Sequence, residues 1–207
     1  MVDMILFPSS FFSVTKVDED LQREYDAVLF TGLFEVALFG YDQWFNDGKL
    51  VVKNAPNELH LAVYRGWMMK PGQYERFYHL LLENNIKLVT EPAEYERMHI
   101  FPNIYERLKE DTAKMEKTNE YRIFYINHEP ATISKNSGQG NYKPWPPKEL
   151  IDKYRNLESK YYTVDLTELE DGTWRILEAG DGGVSGLSEE QDYEQYFRAL
   201  YQCFKDV

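Results

Sequence analysis

Hydrophobic residues recur with two different periods along this chain, and the first half has the pattern of an α/β protein. Short apolar runs at residues 4–8, 34–39, 61–69 and 86–90 predict four strands. Between these runs, apolar residues at helical spacing predict one helix from Asp18 to Gly32 and another from Pro71 to Asn84. Strand, helix and strand joined by short connections predict a parallel βαβ arrangement, so we expect an α/β lobe here.

The second half alternates apolar and polar residues with the period of two that antiparallel strands show. Residues 120–134 place Arg122 and Phe124 on one face of a predicted hairpin, and Tyr121 and Tyr125 on the other. An arginine on an otherwise apolar face indicates either a bound anion or a pair with a nearby glutamate. A second hairpin and a closing amphipathic helix follow, so we expect an α+β lobe with antiparallel strands.

Three acidic residues of the second hairpin, YYTVDLTELEDGTWRILEAGDGGVSGL, are candidate metal ligands. With Asp171-Gly172 at the centre of the turn, Asp165 lies opposite Glu178. Like charges in this position repel each other unless a cation or a proton lies between them, and a divalent metal meets that need. Asp181, in the glycine loop that follows, is a third candidate oxygen ligand. The alternative is an exposed acidic hairpin without a ligand.

Arg65 and Lys135 are further candidates for binding an anionic ligand. Arg65 follows an apolar strand and precedes Gly66, so its planar fork could reach a carboxylate or a phosphate. Alternatively, its side chain extends past Trp67 to solvent. Lys135 begins a loop rich in glycine and proline at residues 135–147, which is either a cover over a site or a long connection.

Composition and charge exclude several classes of function. The formal net charge of −12 argues against a nucleic-acid partner, because binding a phosphate backbone needs clustered lysine and arginine. No apolar stretch has the length of a membrane span and no signal peptide is evident, so we expect a cytoplasmic protein. The single cysteine excludes an internal disulfide. The short signatures of P-loop, dinucleotide-binding, zinc-protease and hydrolase sites are absent.

A polar stretch at residues 111–119, DTAKMEKTN, marks the predicted boundary between two lobes. A chain of 207 residues is long enough to bury a core in each of two small lobes. We therefore expect an amino-terminal α/β lobe at residues 1–115 and a carboxy-terminal α+β lobe at residues 116–207.

Five segments together resemble the ATP-grasp superfamily, and within it the phage and bacterial clade named for an arginine and two lysines. They are MILFPSS, AVYRGWMM, HIFPN, NEYRIFYINHE and the hairpin of residues 161–187. The resemblance implies a pre-ATP-grasp-like amino-terminal lobe and the carboxy-terminal part of an ATP-grasp domain. It also implies a carboxylate-amine ligase that uses ATP and Mg²⁺ and acts through an acyl-phosphate.

The resemblance gives the carboxylates a role in metal binding. Members of the superfamily hold Mg²⁺ with an aspartate on one strand and a Glu-x-Asn on the next, and Asp165 and Glu178 match the first two by type and spacing. The asparagine position is Gly180, and Asp181 is the nearest substitute. The resemblance also implies that Arg122 contacts phosphate.

The resemblance is also used to predict functions for two basic residues other than Arg122. Lys135 is predicted to bind the nucleotide with Arg122, and Arg65 is predicted to face the acceptor substrate, so that the two arginines are the candidate catalytic residues. The chain departs from the family at residues 113–117, where the resemblance predicts a lysine-bearing, nucleotide-binding subdomain. Only Lys114 and Lys117 are present at this junction.

These observations leave two main hypotheses for function. The first is an active ligase whose substrates are a small-molecule or peptide carboxylate and an amine, and a second subunit of a homo-oligomer could supply the absent lid. The second is an impaired or truncated scaffold that binds a partner protein. A calcium-binding or purely structural α/β domain is a third alternative, but the loop lacks the alternating ligands of an EF-hand.

Overall fold

The computed structural model describes residues 1–112, 117–135 and 145–206, and these residues form two compact units. The first unit contains Met1–Pro92 and the C-terminal segment from Tyr193, and the second contains Ala93–Asp192. The division falls at Pro92 and not near residue 115, because the helices that follow Pro92 contribute to the core of the second unit. Within the described part of the chain, no helix has both the length and the apolar character needed to cross a bilayer.

The described residues contain seven α-helices and ten strands. The helices are α1 (Gln22–Thr31), α2 (Tyr41–Phe45), α3 (Pro71–Glu83), α4 (Pro92–His99), α5 (Phe101–Leu108), α6 (Lys148–Lys153) and α7 (Tyr193–Phe204). The strands of the first unit are β1 (Met4–Ser10), β2 (Ser13–Val17), β3 (Glu35–Phe39), β4 (Val52–Lys53), β5 (His60–Tyr64) and β6 (Ile86–Leu88). The strands of the second unit are β7 (Lys117–Ile126), β8 (Glu129–Lys135), β9 (Tyr161–Leu169) and β10 (Trp174–Asp181).

The sheet of the first unit has the parallel core that the hydrophobic pattern predicts. Its strand order is β4-β3-β1-β5-β6, with β2 paired to β1. Strand β1 is almost entirely buried and runs parallel to both β3 and β5, which confirms the predicted βαβ arrangement. The short strands β2 and β4 were not predicted, because β2 is mostly polar and exposed and β4 has only two residues.

Strand β5 is shorter than the predicted apolar run at residues 61–69. It ends at Tyr64, whose hydroxyl donates a hydrogen bond of 2.7 Å to the carbonyl of Trp67. That bond closes a turn immediately after the strand, so Arg65 lies at the end of β5 and not within it. Helix α1 follows the prediction more closely, since Asp18 caps the 3-10 turn that leads into it and Gly32 ends it with a φ of 62°.

A buried ion pair joins α1 to the end of β5 inside the first unit. Arg65 Nε donates to Glu24 Oε2 at 2.7 Å, and Arg65 Nη2 donates to Glu24 Oε1 at 2.6 Å. The two side chains are only 2% and 5% exposed. The guanidinium carbon of Arg65 also lies 5.7 Å from the ring centroid of Tyr196 on α7. Arg65 therefore links two helices to the sheet of this unit.

The second unit is a four-stranded antiparallel sheet with one face covered by helices. Its strand order is β10-β9-β7-β8. Tyr125 stacks on Tyr162 of the neighbouring strand with ring centroids 4.9 Å apart, and both belong to a core that also contains residues of α4, α5 and α6. Arg122 alternates with the tyrosines of its own strand. The predicted two-faced hairpin is thus confirmed, with Arg122 on the face away from the helices.

We predict that Glu24→Gln lowers the free energy of unfolding by about 3–5 kcal/mol, because it leaves the Arg65 guanidinium buried without its counter-charge. Urea denaturation followed by circular dichroism measures the change. The double variant Glu24→Leu with Arg65→Met is the control, and it should recover much of the loss because no buried charge remains. A Glu24→Gln protein as stable as the parent would contradict this role for the pair.

Candidate functional site

Three charged residues form a row across the centre of the antiparallel sheet. Arg122 on β7 pairs in register with Asp165 on β9, and Asp165 pairs with Glu178 on β10. Cross-strand partners project from the same face, so all three lie on the face opposite the helix-covered core. The predicted position of Asp165 opposite Glu178 is therefore confirmed.

The pairing of Asp165 with Glu178 depends on a β-bulge in β10. The turn contains three residues, 170–172, because Leu169 N–H donates to Thr173 O across it, and Gly172 has a φ of 80°. This turn pairs Ile176 with Leu166, and an uninterrupted register would next pair residue 177 with Asp165. The register shifts between Ile176 and Glu178. Without that shift, Glu178 would project from the core face.

Arg122 is the hydrogen-bond donor that connects the acidic groups. Its Nε donates to Asp165 Oδ1 at 2.9 Å and its Nη2 donates to Asp165 Oδ2 at 2.7 Å, which is a bidentate pair. Nη2 also lies 3.3 Å from Glu178 Oε1, and Nη1 donates to the carbonyl of Gly186 at 3.1 Å. Asp165 is buried, whereas the Glu178 side chain is 59% exposed. The guanidinium of Arg122 therefore contacts two carboxylates and the glycine loop.

The charges of this row shift the pKa values of its members. Burial by itself would lower the pKa of Arg122, but the hydrogen bonds and the charge of Asp165 outweigh burial and raise it. The pKa of Glu178 is raised above its ordinary value, first by partial burial and then by the charge of Asp165, while Arg122 opposes the rise. The ionised form of Glu178 is thus incompletely compensated by Arg122, and an additional cation would stabilise it.

Asp165 and Glu178 fit a hard cation that is shared with a phosphate ligand. Mg²⁺ is usually bound by one or two carboxylates together with water and phosphate oxygens. Glu178 is exposed and its charge is only partly compensated by Arg122, and Asp165 lies directly opposite it. Among the described residues, no group of three or more histidine, cysteine, aspartate and glutamate side chains is arranged to hold a metal. The two carboxylates by themselves would therefore supply only part of the coordination shell of such a cation.

The structure does not bring Asp181 to this pair of carboxylates. Asp181 pairs in register with Tyr162 and lies two residues from Ala179, and both of those residues belong to the helix-covered core. The register therefore places Asp181 on the opposite face from Glu178. Its Oδ1 accepts a hydrogen bond of 2.8 Å from the backbone N–H of Gly183, which shapes the start of the glycine loop.

The remaining candidate residues are not members of the charged row. Lys135 pairs with Tyr121, so the register places it on the other face of the sheet from Arg122. Arg65 belongs to the first unit, where Glu24 binds its guanidinium. Lys114 is outside the described residues, and only the backbone of Lys117 is described. The roles proposed for these residues from the sequence stay predictions.

Two hydroxyl residues of the charged face were missed by the sequence analysis. Thr163 lies two residues before Asp165 on β9, so strict alternation from Asp165 would have found it. Ser185 is in the loop after β10, and its Oγ lies 2.9 Å from Thr163 Oγ1. No periodic signal marks a loop residue, so Ser185 could not be found from the sequence.

Comparison with protein families identifies the domain that contains this row. The family that matches residues 74–200 is described as an ATP-grasp domain, family 3 of the clade named for an arginine and two lysines. The chain belongs to this family. The match includes Arg122, Asp165 and Glu178, and it confirms the resemblance to the superfamily. A search of curated protein sequences found no match for this ATP-grasp protein.

Solved structures with a similar fold are ATP-grasp ligases. The ATP-grasp ligase PsnB, in a complex with a minimal precursor, is 9% identical with a TM-score of 0.60, and the match covers 98% of this chain and 100% of PsnB. The macrocyclase MdnB from Microcystis aeruginosa is 12% identical with a TM-score of 0.56, over 98% of both chains. D-alanyl-alanine synthetase A from Vibrio cholerae is 9% identical with a TM-score of 0.56, over 100% and 99% of the two chains. At such identities the likeness establishes the fold of this ATP-grasp protein and nothing finer.

We predict that Glu178→Gln stabilises the metal-free protein at neutral pH. Because the pKa of Glu178 is raised in the folded state, the parent keeps its full stability below the ordinary glutamate pKa and loses some as pH rises through the raised value. Glutamine does not ionise, so the advantage of the variant should grow as pH increases from about 4 to 7. Urea unfolding in the presence of a chelator measures it, with the exposed turn variant Glu170→Gln as control. An advantage that does not change with pH would contradict the assignment.

We predict that Arg122→Met destabilises the metal-free protein by about 3–5 kcal/mol, because Asp165 would remain buried with its charge unpaired. The matched double variant, Arg122→Met with Asp165→Asn, removes that charge and should recover part of the loss. Urea denaturation of the parent, the two single variants and the double variant gives the coupling energy. A coupling energy near zero would show that the bidentate pair does not support the sheet.

Proposed function

We propose that this protein is a ligase that joins a carboxylate to an amine, using ATP and Mg²⁺ and passing through an acyl-phosphate. The observation that carries the proposal is the row of Arg122, Asp165 and Glu178 on the face of an ATP-grasp sheet opposite its helix-covered core. PsnB, a ligase of the same fold, was solved with Mg and ADP. These observations favour a phosphate-binding role for the charged row over an exposed acidic hairpin.

In the proposed reaction, an oxygen of the substrate carboxylate attacks the γ-phosphorus of ATP and ADP leaves. The amine nitrogen then attacks the acyl carbon, inorganic phosphate leaves, and the amine loses a proton. Bound Mg²⁺ supplies positive charge to the phosphate oxygens and aligns the transferred group. Asp165 and Glu178 are the residues that would hold it.

Arg122 has two functions in this proposal. Its bidentate contact with Asp165 fixes the guanidinium plane, so its orientation does not depend on a ligand. Its contact with Glu178, at 3.3 Å, is longer than the two bonds to Asp165 and is the contact most easily exchanged for a phosphate oxygen. Arg122 would therefore orient phosphate while Asp165 holds the arginine in place.

The substrate class is the least defined part of the proposal. Among proteins of the same fold, PsnB and MdnC were solved with precursor peptides, and another is a D-alanyl-alanine synthetase. We therefore propose a peptide or amino acid as the source of the carboxylate or of the amine. The alternative of a non-catalytic scaffold is less favoured, because the solved structures of the same fold are ligases.

We predict that ATP with Mg²⁺ raises the melting temperature of the parent and that Glu178→Gln abolishes the rise. A ligand at a hundredfold its dissociation constant adds about 2.7 kcal/mol, which corresponds to roughly 5–10 °C for a chain of this size. Differential scanning fluorimetry measures the shift, and Glu170→Gln on the turn of the same hairpin serves as the matched control.

Release of ADP and phosphate in the presence of a mixture of peptides and amino acids tests the catalytic part. An equal shift in the parent and in Glu178→Gln would contradict the proposed site. A shift in the parent without any ADP release from any carboxylate would support the non-catalytic alternative.

A further inference from the structure

The charged face of the sheet has a gap directly beside Glu178. Gly180 is two residues after Glu178 on the same face and pairs in register with Thr163. As a glycine, it places no side chain there. A Cβ at this position would lie 3.4 Å from Ser185 Oγ and 3.5 Å from Thr163 Oγ1. The place of the absent side chain is therefore lined by two hydroxyl groups.

The loop after β10 brings the second of these hydroxyls to the sheet. Ser185 Oγ donates a hydrogen bond of 2.7 Å to the carbonyl of Asp181, which folds the loop back over the strand end. Ser185 Oγ also lies 2.9 Å from Thr163 Oγ1. The next residue, Gly186, accepts a hydrogen bond from Arg122. Two adjacent loop residues are thus held at this face, Ser185 by Thr163 and Gly186 by Arg122.

Both hydroxyl oxygens keep lone pairs after their hydrogen bonds are assigned. Each hydroxyl has one proton and two lone pairs. Because Ser185 directs its proton to the carbonyl of Asp181, Thr163 donates in the contact between the two hydroxyls, and its Oγ1 lies farther, at 3.5 Å, from the carbonyl oxygen of Gly180. Ser185 then retains one lone pair and Thr163 retains two. These oxygens are neutral donors beside a pair of carboxylates.

We propose that Thr163 and Ser185 supply neutral oxygen ligands to the cation that Asp165 and Glu178 hold. This inference rests on the proposed function and identifies its remaining protein ligands. Asp181, the third ligand expected from the sequence, lies on the other face of the sheet. Hydroxyl oxygens are hard neutral donors of the kind that Mg²⁺ accepts beside carboxylates.

Mn²⁺ provides a direct probe, because electron paramagnetic resonance measures the concentration of free Mn²⁺ in the presence of protein and ADP. We expect Thr163→Val to weaken Mn²⁺ binding about tenfold or more, as loss of one supporting oxygen commonly does. Thr163→Ser, which restores the oxygen, should recover parental affinity. Thr167→Val is the matched control: Thr167 lies on the same face, two residues beyond Asp165, but its hydroxyl donates to Asn119 O at 2.7 Å. It should bind Mn²⁺ as the parent does.

A change of metal preference separates a ligand from a residue that merely holds the loop. Ser185→Cys replaces the oxygen with a sulfur of similar reach, and thiolates favour soft metals. We expect the ratio of Cd²⁺ to Mn²⁺ affinity to increase about tenfold or more relative to the parent, which also contains Cys203. Gly180→Ala should weaken Mn²⁺ binding while the protein stays folded, because the methyl group has ordinary contact distances there and would cover the hydroxyls.

The outcomes distinguish this inference from the proposed function. If Mn²⁺ binding depends on Glu178 but not on Thr163 or Ser185, and Ser185→Cys leaves the metal preference unchanged, the hydroxyls are not ligands and the proposed function stands. If the parent binds neither Mn²⁺ nor ADP, both proposals fail. Circular dichroism of each variant confirms that a loss of binding is not a loss of fold, and rescue by Thr163→Ser gives the same assurance independently.

Discussion

The buried carboxylate of Asp165 is the constraint on which the charged face depends. It lies on β9, which has a strand on each side, so little solvent reaches it, and an ionised group so placed needs a partner with matching geometry. Arg122, its register partner, has a planar guanidinium that donates one hydrogen bond to each carboxylate oxygen of Asp165. The orientation of Arg122 in turn determines which groups its remaining N–H donors reach, namely Glu178 and the carbonyl of Gly186.

One face of the antiparallel sheet is apolar and packs against helices, and the other carries charged and polar groups. A single register of the strands produces both faces. One face carries the tyrosines and aliphatic residues that pack against α4, α5 and α6. The other face carries the arginine, the carboxylates and the hydroxyls. The bulge before Glu178 matters for this reason: a slip of one residue exchanges the faces, which would bury Glu178 in the apolar core. The irregularity thus brings Glu178 to the same face as Asp165.

The comparisons show that proteins with very low sequence identity share this fold. Ligases with only 9–12% identity share this architecture over nearly their whole length. A core of this type tolerates many apolar substitutions if volume and pattern are kept, whereas chemistry depends on a few oriented side chains. The comparisons therefore establish the fold, and the chemistry of this protein has to be argued from its own oriented side chains.

The sequence by itself determined the parallel and antiparallel lobes and the face on which Arg122 lies, whereas it predicts the pairing of Asp165 with Glu178 from a two-residue turn that the structure does not contain. These features follow from local periodicity and turn chemistry, which adjacent residues encode. Only the tertiary structure decided that a bulge produces that pairing, that Asp181 lies on the other face and that Arg65 is bound by Glu24. It alone placed Ser185 against Thr163. Each of these depends on contacts between distant residues, and a local pattern of apolar and polar positions carries no information about a single-residue shift in register or the path of a loop.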